Sequence, residues 1–517
     1  MNQTLGDVLH ECAARYGTRP FVTIAETDRT INYRDFETLV NRLARGLRVN
    51  TPIASGYIAI MLENSIEYLA TSYATKKLGV VEVSVNRAFR NVALSRMINV
   101  TGAETLFTSD KHLDALHDIR DQMPNIKTLV LVGDAPRARS LFPSLEILNF
   151  DDVLVDDHRH LSPDAADTDL ATVLFTSGTT GVSKGCKLSH RYAIKTAENC
   201  IDPFRITADD CVYTPYPLSH IGPAYYDILP SMMVGARVVL REYFSNRAFW
   251  PEIIQFDATW FMMLGSVQQL LWAAEPRPEE TQHRVSRCWG APIPVPKADF
   301  DARFKTHLIP GGGYGSTDAG WAVVPQWDHP GGVVLPDYEI KIIDDDGDEV
   351  PDGTPGQLVV KGKQPGLTAD GYIGLAEETA RHWQDGWFHT GDIARIGDDG
   401  LFYFMHRMSE RIRVRGEMVS AYEVEEGALT HPAVEDCAAV GVPARLVEED
   451  VRLFVVTKPG ATLTADELRA HCAERMAKFM VPRDVVFIDD MPRTPTGKPE
   501  KGKLAAMTVA VDDDAGT

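Results

Sequence analysis

The sequence predicts an α/β protein with more than one domain, and two periodic patterns carry that expectation. Apolar residues between Phe36 and Leu47 recur at helical spacing, whereas the apolar segment 57–62 has the length of a buried strand. Further apolar runs of strand length occupy 171–175, 236–240 and 357–361. This alternation favours α/β layers around largely buried sheets. Because 517 residues exceed what one hydrophobic core usually supports, we expect at least two domains.

The main domain boundary is predicted near the charged run 406–415, which interrupts the pattern after the strand-like segment 401–404. An acidic cluster rich in Gly and Pro at 344–356 indicates a solvated loop. Farther on, Thr464 and Glu467 form a capping-box pattern before an amphipathic helix, so the last hundred residues indicate a small α+β unit. We therefore expect domains at 1–407 and 408–507, followed by a fraying tail at 508–517.

Composition and charge exclude several classes of function. Acidic residues outnumber basic ones by 73 to 52, and the net charge of -21 disfavours nucleic acid and anionic membrane surfaces as partners. The seven cysteines include no C-x-x-C pair, so neither a zinc site nor a disulfide framework is indicated. The N-terminus lacks a basic region followed by an apolar run, and no later segment reaches membrane-spanning length. We expect a cytoplasmic protein without membrane insertion.

The loop Thr176–Lys184 combines glycines, hydroxyls and a lysine directly after an apolar run. Glycine lets backbone N–H groups approach phosphate oxygens, and hydroxyl and ammonium groups add directional or charged contacts. The P-loop pattern fails because Lys184 lies three residues after Gly181 and is followed by Gly185. Segment 311–316 lacks the glycine spacing of a dinucleotide-binding turn. An isolated loop of this composition is more often a flexible connector, so its interpretation depends on other motifs.

Other motifs follow in order along the chain, and together with the loop they resemble the signature of the adenylate-forming superfamily. That superfamily includes acyl-CoA synthetases, firefly luciferase and the adenylation domains of peptide synthetases. The resemblance covers the chain from Asn32 to Leu504. It is carried by the loop and by segments 216–220, 290–292, 314–318, 386–392, 407, 415–417 and 494–498. Segment 244–250 resembles, more weakly, the crotonobetaine/carnitine-CoA ligase branch.

The resemblance implies a large N-terminal AMP-binding domain of packed α/β subdomains and a small mobile C-terminal domain, joined at a hinge around Ser409. It also implies ATP and Mg²⁺, with CoA as co-substrate. The implied ATP-binding residues are Thr176, Ser177, Gly178, Thr179, Thr180, Lys184, Gly290, Ala291, Pro292, Tyr314, Gly315, Asp392 and Arg407. The implied catalytic residues are Lys498, His220, Thr317 and Asp318, with Asp318 as the metal ligand. The implied substrate pocket contains His220, Tyr225, Tyr226, Met263, Gly265, Gly311 and Gly312.

The resemblance also assigns roles to these residues. The loop donors, including Lys184, would replace water around the β- and γ-phosphates. Asp392 and Arg407 would bind the ribose hydroxyls, and Tyr314 would stack on adenine. Lys498 would stabilise the charge that develops as the carboxylate attacks the α-phosphate, while His220 (segment 216–220) would gate the acyl pocket. Without the motifs, each residue has an ordinary structural interpretation, such as a turn aspartate or a core tyrosine.

Four positions depart from the pattern of the superfamily. Asp318 replaces the usual glutamate and is one methylene shorter, which matters because Mg²⁺ demands tight octahedral geometry. Ser183 replaces a proline, and His406 replaces the aspartate before Arg407. Met418 replaces an asparagine in a segment that would face the active site during thioester formation. The departure at Met418 leaves the acyl acceptor open.

Three functions fit these motifs. The first is an acid:CoA ligase that forms acyl-AMP from a small carboxylic acid, releases pyrophosphate and makes an acyl-CoA thioester. The second is a stand-alone adenylating enzyme that passes the adenylate to a carrier protein, an amine or another small nucleophile in specialised metabolism. The third is a catalytically silent member of the fold, which the intact Lys498, Asp392 and Arg407 disfavour. The acid itself stays open, because the rings of Tyr225, Tyr226 and Trp260 suit a quaternary ammonium or a small aromatic acid.

Overall fold

The structure is a computed structural model, and the part of the chain that it describes has several gaps. The described residues are 3–176, 183–291, 295–408, 411–414, 417–443, 449–493 and 499–507. The tail 508–517, predicted to fray, lies outside them, as does the expected hinge residue Ser409. Among the described residues, no helix combines the length and the apolar character needed to cross a membrane.

Helices occur along the whole chain and alternate with strands. The α-helices are α1 (Leu5–Tyr16), α2 (Tyr33–Asn50), α3 (Ile66–Leu78), α4 (Asn91–Asn99), α5 (Leu113–His117), α6 (Ala135–Leu141), α7 (Phe150–Val153), α8 (His190–Phe204), α9 (Leu229–Val234), α10 (Asn246–Gln255), α11 (Gly265–Ala273), α12 (Lys297–Phe304), α13 (Ala376–His382), α14 (Ala421–Leu429), α15 (Ala465–Ala473) and α16 (Lys501–Ala506). A π-helical segment occupies Gly222–Ile228, and single 3-10 turns occupy Asp110–His112, Arg120–Gln122 and Pro278–Thr281.

The strands are short, as expected for buried sheets. Those of the first half are β1 (Pro20–Ile24), β2 (Arg29–Asn32), β3 (Tyr57–Met61), β4 (Val81–Ser84), β5 (Thr105–Ser109), β6 (Thr128–Val132), β7 (Glu146–Asn149), β8 (Leu170–Thr176), β9 (Lys184–Ser189), β10 (Cys211–Thr214), β11 (Arg237–Leu240), β12 (Trp260–Leu264), β13 (Arg287–Ala291) and β14 (His307–Ile309). Those of the second half are β15 (Tyr314–Ser316), β16 (Gly320–Pro325), β17 (Gly332–Val334), β18 (Tyr338–Ile343), β19 (Gly356–Gly362), β20 (Trp383–Gln384), β21 (Trp387–Ile396), β22 (Phe402–Arg407), β23 (Arg411–Val414), β24 (Glu417–Ser420), β25 (Val434–Pro443), β26 (Glu449–Thr457) and β27 (Asp484–Phe487).

The helix and strands expected from periodicity are confirmed. The segment 36–47 belongs to α2, whose N-cap Asn32 accepts a hydrogen bond from the backbone N–H of Asp35. The apolar face of α2 is buried at Phe36 and Leu47, among others. The four apolar runs correspond to β3, β8, β11 and β19. Local apolar spacing and capping therefore predict these elements correctly, because each is defined by neighbours in sequence.

Contact density divides the chain into two compact units. The first unit comprises Met1–Leu264, Glu275–Lys341 and Val359–Thr390, and the second comprises Gly265–Ala274, Ile342–Leu358 and Gly391–Thr517.

The first unit contains two seven-stranded sheets. One has the strand order β7-β6-β5-β3-β4-β8-β9, and the other has the order β14-β13-β12-β10-β11-β1-β2. Pairing is parallel throughout except at one edge of each sheet, where β9 runs antiparallel to β8 and β2 antiparallel to β1. The strands are largely buried, as expected for sheets covered by crossover helices. The α/β prediction is confirmed.

The second unit contains a small α+β fold. Strands β25 and β26 form a long antiparallel hairpin, and β27 adds parallel to β26. Helix α15 begins with the predicted capping box, in which Thr464 and Glu467 bond each other's backbone N–H groups. Leu468 and Cys472 of this helix are fully buried, which agrees with the predicted apolar face.

The π-helical segment of the first unit carries a buried carboxyl group, Asp227, whose exposed fraction is 0%. Among the described residues, neither of its carboxylate oxygens has a hydrogen-bond partner. Burial raises the pKa of Asp227 to about 8, and the nearby Thr214 hydroxyl offsets only part of the rise. Asp227 is therefore mostly protonated at neutral pH, and its ionisation opposes folding.

Replacing Asp227 by Asn should make the stability of the protein less dependent on pH. In the unfolded chain an Asp loses its proton near pH 4, whereas folded Asp227 keeps it to about pH 8. Folding therefore takes up a proton between these values, and stability falls by up to about 1.4 kcal/mol per pH unit as the pH rises. Thermal unfolding of both proteins at pH 5.5 and 8.5 checks this. We expect Asp227→Asn to gain stability relative to wild type at the higher pH, and an unchanged difference would contradict the assignment.

Candidate active site

The turn between β15 and β16 presents Thr317 and Asp318. Strand pairing closes this hairpin tightly, with Ser316 opposite Gly320. The hydroxyl of Tyr192, on α8, lies 3.1 Å from the carbonyl oxygen of Ser316 and 3.0 Å from that of Thr317, and donates to them. Because Tyr192 is fully buried, α8 holds the turn, and with it Asp318, in a fixed position.

Segment 369–373 connects the same turn to β9. The backbone N–H of Ala369 donates to the carbonyl oxygen of Asp318 at 2.9 Å. At its other end, the N–H of Ile373 donates to the carbonyl oxygen of Gly185 on β9 at 2.8 Å. The start of β9 and the turn are therefore hydrogen-bonded to one short piece of chain, although they lie more than 100 residues apart in sequence.

Two buried groups adjoin the carboxylate of Asp318. The Cys186 thiol, on β9, donates to Asp318 Oδ1 at 3.4 Å. The Tyr372 hydroxyl lies close enough to the same carboxylate to interact with it electrostatically. Burial first, and the charge of Asp318 second, raise the pKa of Cys186 and of Tyr372 well above their usual values. Both groups therefore stay protonated, and the hydrogen bond from Cys186 orients the carboxylate.

These neighbours leave the Asp318 carboxylate with acceptor capacity. An ionised carboxylate offers about four lone-pair sites, so the hydrogen bond from Cys186 does not saturate it. Magnesium in nucleotide sites is usually held by one or two carboxylates together with phosphate oxygens. The residues present therefore fit a magnesium ion bound by Asp318 and by the phosphates of a nucleotide.

Lys184 stands at the end of the predicted phosphate loop, and its ammonium is already paired. Thr176 and Lys184, the two ends of the loop, are opposite each other in the β8–β9 ladder. The Lys184 ammonium forms an ion pair with Glu378 and lies 3.1 Å from Nε2 of His382, both on α13. It also lies 5.0 Å from the ring centre of Tyr372. Lys184 is only 9% exposed, so these partners surround it.

The structure describes Tyr314 and Gly290, which belong to the two faces of the predicted adenine slot. Tyr314 is buried in β15, and its neighbour Gly315 lies opposite Trp321 of β16. On β13, a Cβ added to Gly290 would lie 2.5 Å from the backbone oxygen of Met263, so a larger residue could not approach β12 this closely. Both elements belong to the first unit, and the rings of Trp289 on β13 and Trp321 meet at 5.3 Å.

His220 precedes the π-helical segment and is half-buried. Its Nδ1 lies 3.2 Å from the backbone N–H of Gly222 and accepts a hydrogen bond from it. The neutral imidazole therefore carries its proton on Nε2. This hydrogen bond fixes the ring at the start of the segment that contains Tyr225 and Tyr226.

The two tyrosines of the predicted substrate pocket have different surroundings. The Tyr225 hydroxyl donates to Thr172 Oγ1 on β8 at 3.0 Å and lines a small internal cavity of about 30 Å³. The buried ion pair of Lys76 and Glu82 also lines this cavity. Tyr226 instead packs its ring against Trp321, with ring centres 4.8 Å apart. Of the two, Tyr226 is the one that adjoins the β15–β16 hairpin.

The other predicted pocket residues lie at strand ends. Met263 is buried in β12, and Gly265, which begins α11, belongs to the second unit. Gly311 and Gly312 precede β15, and Gly312 has a φ of +90° that favours glycine. Trp260, expected as a possible ring for the substrate, is fully buried and stacks on Phe204 at 5.1 Å.

Asp392 and Arg407 lie in the second unit and form a cross-strand pair. They are directly opposite each other in the β21–β22 ladder, and Arg407 Nε lies 3.4 Å from Asp392 Oδ1. Asp392 is 6% exposed, whereas the Arg407 side chain is 41% exposed. Strand pairing therefore brings together the two residues for which the resemblance implied ribose binding.

Several predicted residues lie outside the described part of the chain. They are Ser177, Gly178, Thr179 and Thr180 of the loop, Pro292, and Lys498. The side chains of Ala291 and Met418 are also not described. Conversely, sequence reasoning missed Tyr372, Glu378 and His382. The only signal for the last two was their i, i+4 spacing ahead of segment 386–392.

The model of the AMP-binding enzyme family matches residues 9–373, and the model of the AMP-binding enzyme C-terminal domain matches residues 423–498. The chain therefore belongs to the AMP-binding enzyme family.

Similar proteins include enzymes that form CoA thioesters. The crotonobetaine/carnitine–CoA ligase of Proteus mirabilis is 31% identical over 92% of this chain and 93% of its own length. The feruloyl-CoA synthase of an Amycolatopsis species is 29% identical, with the same coverage of 92% and 93%. The anthranilate CoA ligase AuaEII, solved with anthranoyl-AMP, matches the fold with a TM-score of 0.87 and 22% identity over 98% of this chain and 97% of its own. The first similarity agrees with the branch that segment 244–250 suggested.

Replacing Tyr192 by Phe should destabilise the protein. The change removes the hydroxyl that bonds the carbonyl oxygens of Ser316 and Thr317, which leaves buried acceptors unsatisfied and costs about 1–3 kcal/mol. Urea unfolding measures the loss. Tyr226→Phe is the matched control, because the Tyr226 hydroxyl has no hydrogen-bond partner among the described residues. Equal losses in both variants would contradict the role given to Tyr192.

Proposed function

We propose that this chain is an ATP-dependent acid:CoA ligase, which activates a small carboxylic acid as acyl-AMP and transfers the acyl group to CoA. The observation that carries the proposal is that a cation and a carboxylate share one partner: Lys184 and Asp318 both contact Tyr372. A metal-bound triphosphate requires both, since the carboxylate holds the metal and the ammonium neutralises phosphate oxygens. Membership of the AMP-binding family supports ATP as the substrate.

In the proposed first half-reaction, a carboxylate oxygen of the acid attacks the α-phosphorus of ATP. The bond between that phosphorus and the oxygen that bridges to the β-phosphate breaks, and pyrophosphate leaves. Lys184 and the donors of loop 176–184 hold the leaving phosphates, and Lys498 stabilises charge around the α-phosphate. Mg²⁺, when bound at Asp318, supplies charge neutralisation to the phosphates.

In the proposed second half-reaction, the sulfur of CoA attacks the acyl carbon of acyl-AMP and AMP leaves. His220 lies at the start of the segment that carries Tyr225 and Tyr226, so its ring can separate the acid from the incoming thiol. Asp392 and Arg407 hold the ribose of the adenylate. The CoA ligases among the similar proteins support CoA as the acceptor.

The division into domains 1–407 and 408–507 is part of this proposal. The separate match of residues 423–498 to the C-terminal domain model of the family supports it. This division assigns Lys498 to the small domain.

The acid is proposed to be small and to carry either an aromatic ring or a quaternary ammonium group. Tyr226, Trp321 and Trp289 form an aromatic cluster in the first unit, and the fully buried Phe204 and Trp260 pack against it. Aromatic faces bind both kinds of group, by stacking or by cation–π attraction. The names of two similar enzymes, which refer to crotonobetaine or carnitine and to feruloyl-CoA, support the same two classes.

A pyrophosphate-release screen over aliphatic, betaine-like and aromatic acids, with and without CoA, tests the proposed function. We expect release that depends on ATP and on one class of acid, with CoA consumed in step with AMP formation. Lys498→Ala serves as the inactive control, because it removes the charge proposed to stabilise attack on the α-phosphate.

The same screen separates the alternatives. Acid-dependent release without consumption of CoA would favour an adenylating enzyme with another acceptor, such as a carrier protein or an amine. No release with any acid would contradict adenylation and favour a silent member of the fold.

A further inference from the structure

The ammonium group of Lys184 is held from three directions. It forms an ion pair with Glu378, lies 3.1 Å from His382 Nε2 and 5.0 Å from the ring centre of Tyr372. Glu378 and His382 are four residues apart on α13, so they project from the same face of that helix. Lys184 lies on β9, 194 residues before Glu378 in the chain.

We propose that Glu378 and His382 are positioning residues that hold the Lys184 ammonium at the base of loop 176–184. This inference rests on the proposed function, in which Lys184 contacts the phosphates of ATP. Neither residue would touch the nucleotide. Both would act through the lysine.

The physical reason is the flexibility of a lysine side chain. An unrestrained lysine side chain has many rotamers, and ATP would have to remove this freedom on binding. Partners that already fix the ammonium pay part of this cost during folding, which is how preorganised sites gain affinity. A lysine has three N–H donors. Glu378 and His382 engage two of them, which leaves one for a phosphate oxygen.

Hydrogen bonding defines the tautomer of His382. Its Nδ1 lies 3.2 Å from the carbonyl oxygen of His389, which can only accept, so Nδ1 carries the proton. In the neutral ring Nε2 is consequently an acceptor, and it faces the Lys184 ammonium. A side chain that lacks an acceptor at this position would therefore not hold the ammonium.

Other charged groups around His382 modify this arrangement. Glu378 Oε1 lies 3.4 Å from His382 Nε2, and Arg381 lies 3.2 Å from the other oxygen of Glu378. The hydrogen bond from Lys184 holds the pKa of Glu378 below its usual value, so this carboxylate stays charged in mildly acidic solution. Glu378 therefore keeps the charge that orders Lys184. The edge of Tyr372 also meets the imidazole ring, with ring centres 5.7 Å apart.

Calorimetric titration of the full-length protein with ATP and Mg²⁺ tests the first part of the inference. We expect Glu378→Gln to weaken ATP binding about threefold to tenfold, because the charged partner that orders Lys184 is lost. Glu377→Gln removes the same charge from the preceding, exposed position of α13 and should leave the affinity unchanged. Tighter binding by Glu378→Gln would overturn the inference, since it would identify Glu378 as a competitor of the phosphates.

A pair of variants at position 382 tests the second part. His382→Gln keeps an acceptor for the Lys184 ammonium, whereas His382→Leu removes it. We expect His382→Gln to bind ATP about as tightly as wild type and His382→Leu to bind it several-fold more weakly. Equal affinities of the two variants would show that the acceptor of His382 does not position Lys184.

Pyrophosphate release by the same preparations separates this inference from the proposed function. If wild type binds ATP with the expected variant effects but no acid releases pyrophosphate, adenylation is wrong and the positioning role stands. If wild type binds no ATP, both are wrong.

Discussion

The structure of the site depends on the hydrogen bonds that segment 369–373 makes with its two neighbours. Through Ala369 and Ile373, the backbone of this segment joins the turn that carries Asp318 to strand β9. The side chain of Tyr372, in the same segment, contacts both the Asp318 carboxylate and the Lys184 ammonium. A carboxylate and a cation are therefore held near each other by backbone geometry, and not only by their mutual attraction. Without this segment, each group would belong to a separate part of the fold.

The local charge at this site differs from that of the whole chain. A net charge of -21 repels a polyanion such as ATP at a distance, so binding must depend on a few fixed donors. Lys184 is one of these, and it forms an ion pair with Glu378. Asp318 has a shorter side chain than the usual glutamate. The hydrogen bond from Cys186 orients its carboxylate beside Tyr372, and this orientation compensates for the shorter reach. Both features concern how charges are positioned before ATP arrives.

The sequence predicts the elements of the fold better than it predicts their contacts. Helix α2, strand β8 and the capping box of α15 follow from residues that are neighbours in the chain, so periodicity and capping identify them. The pairing of Asp392 with Arg407 could be expected because both belong to motifs with one task. The partners of Lys184 could not be expected from the sequence. Glu378 comes close to Lys184 only because segment 369–373 folds against β9. Contacts between distant segments leave no periodic signal.

The direction of individual side chains could not be predicted from the sequence either. Tyr225 and Tyr226 are adjacent and were predicted to line one pocket, yet one bonds Thr172 beside an internal cavity and the other packs on Trp321. Consecutive side chains of a helix point roughly 100° apart, so the two adjacent tyrosines of segment 222–228 face different neighbours. No motif in the sequence predicts the burial of Asp227 in the same segment.

The most direct test of this account is a crystal structure of the protein with ATP and Mg²⁺. The account predicts a metal ion at the Asp318 carboxylate and a phosphate oxygen within hydrogen-bond distance of Lys184, with Tyr372 still contacting both residues. A triphosphate bound elsewhere, with Lys184 paired only to Glu378 and His382, would contradict it.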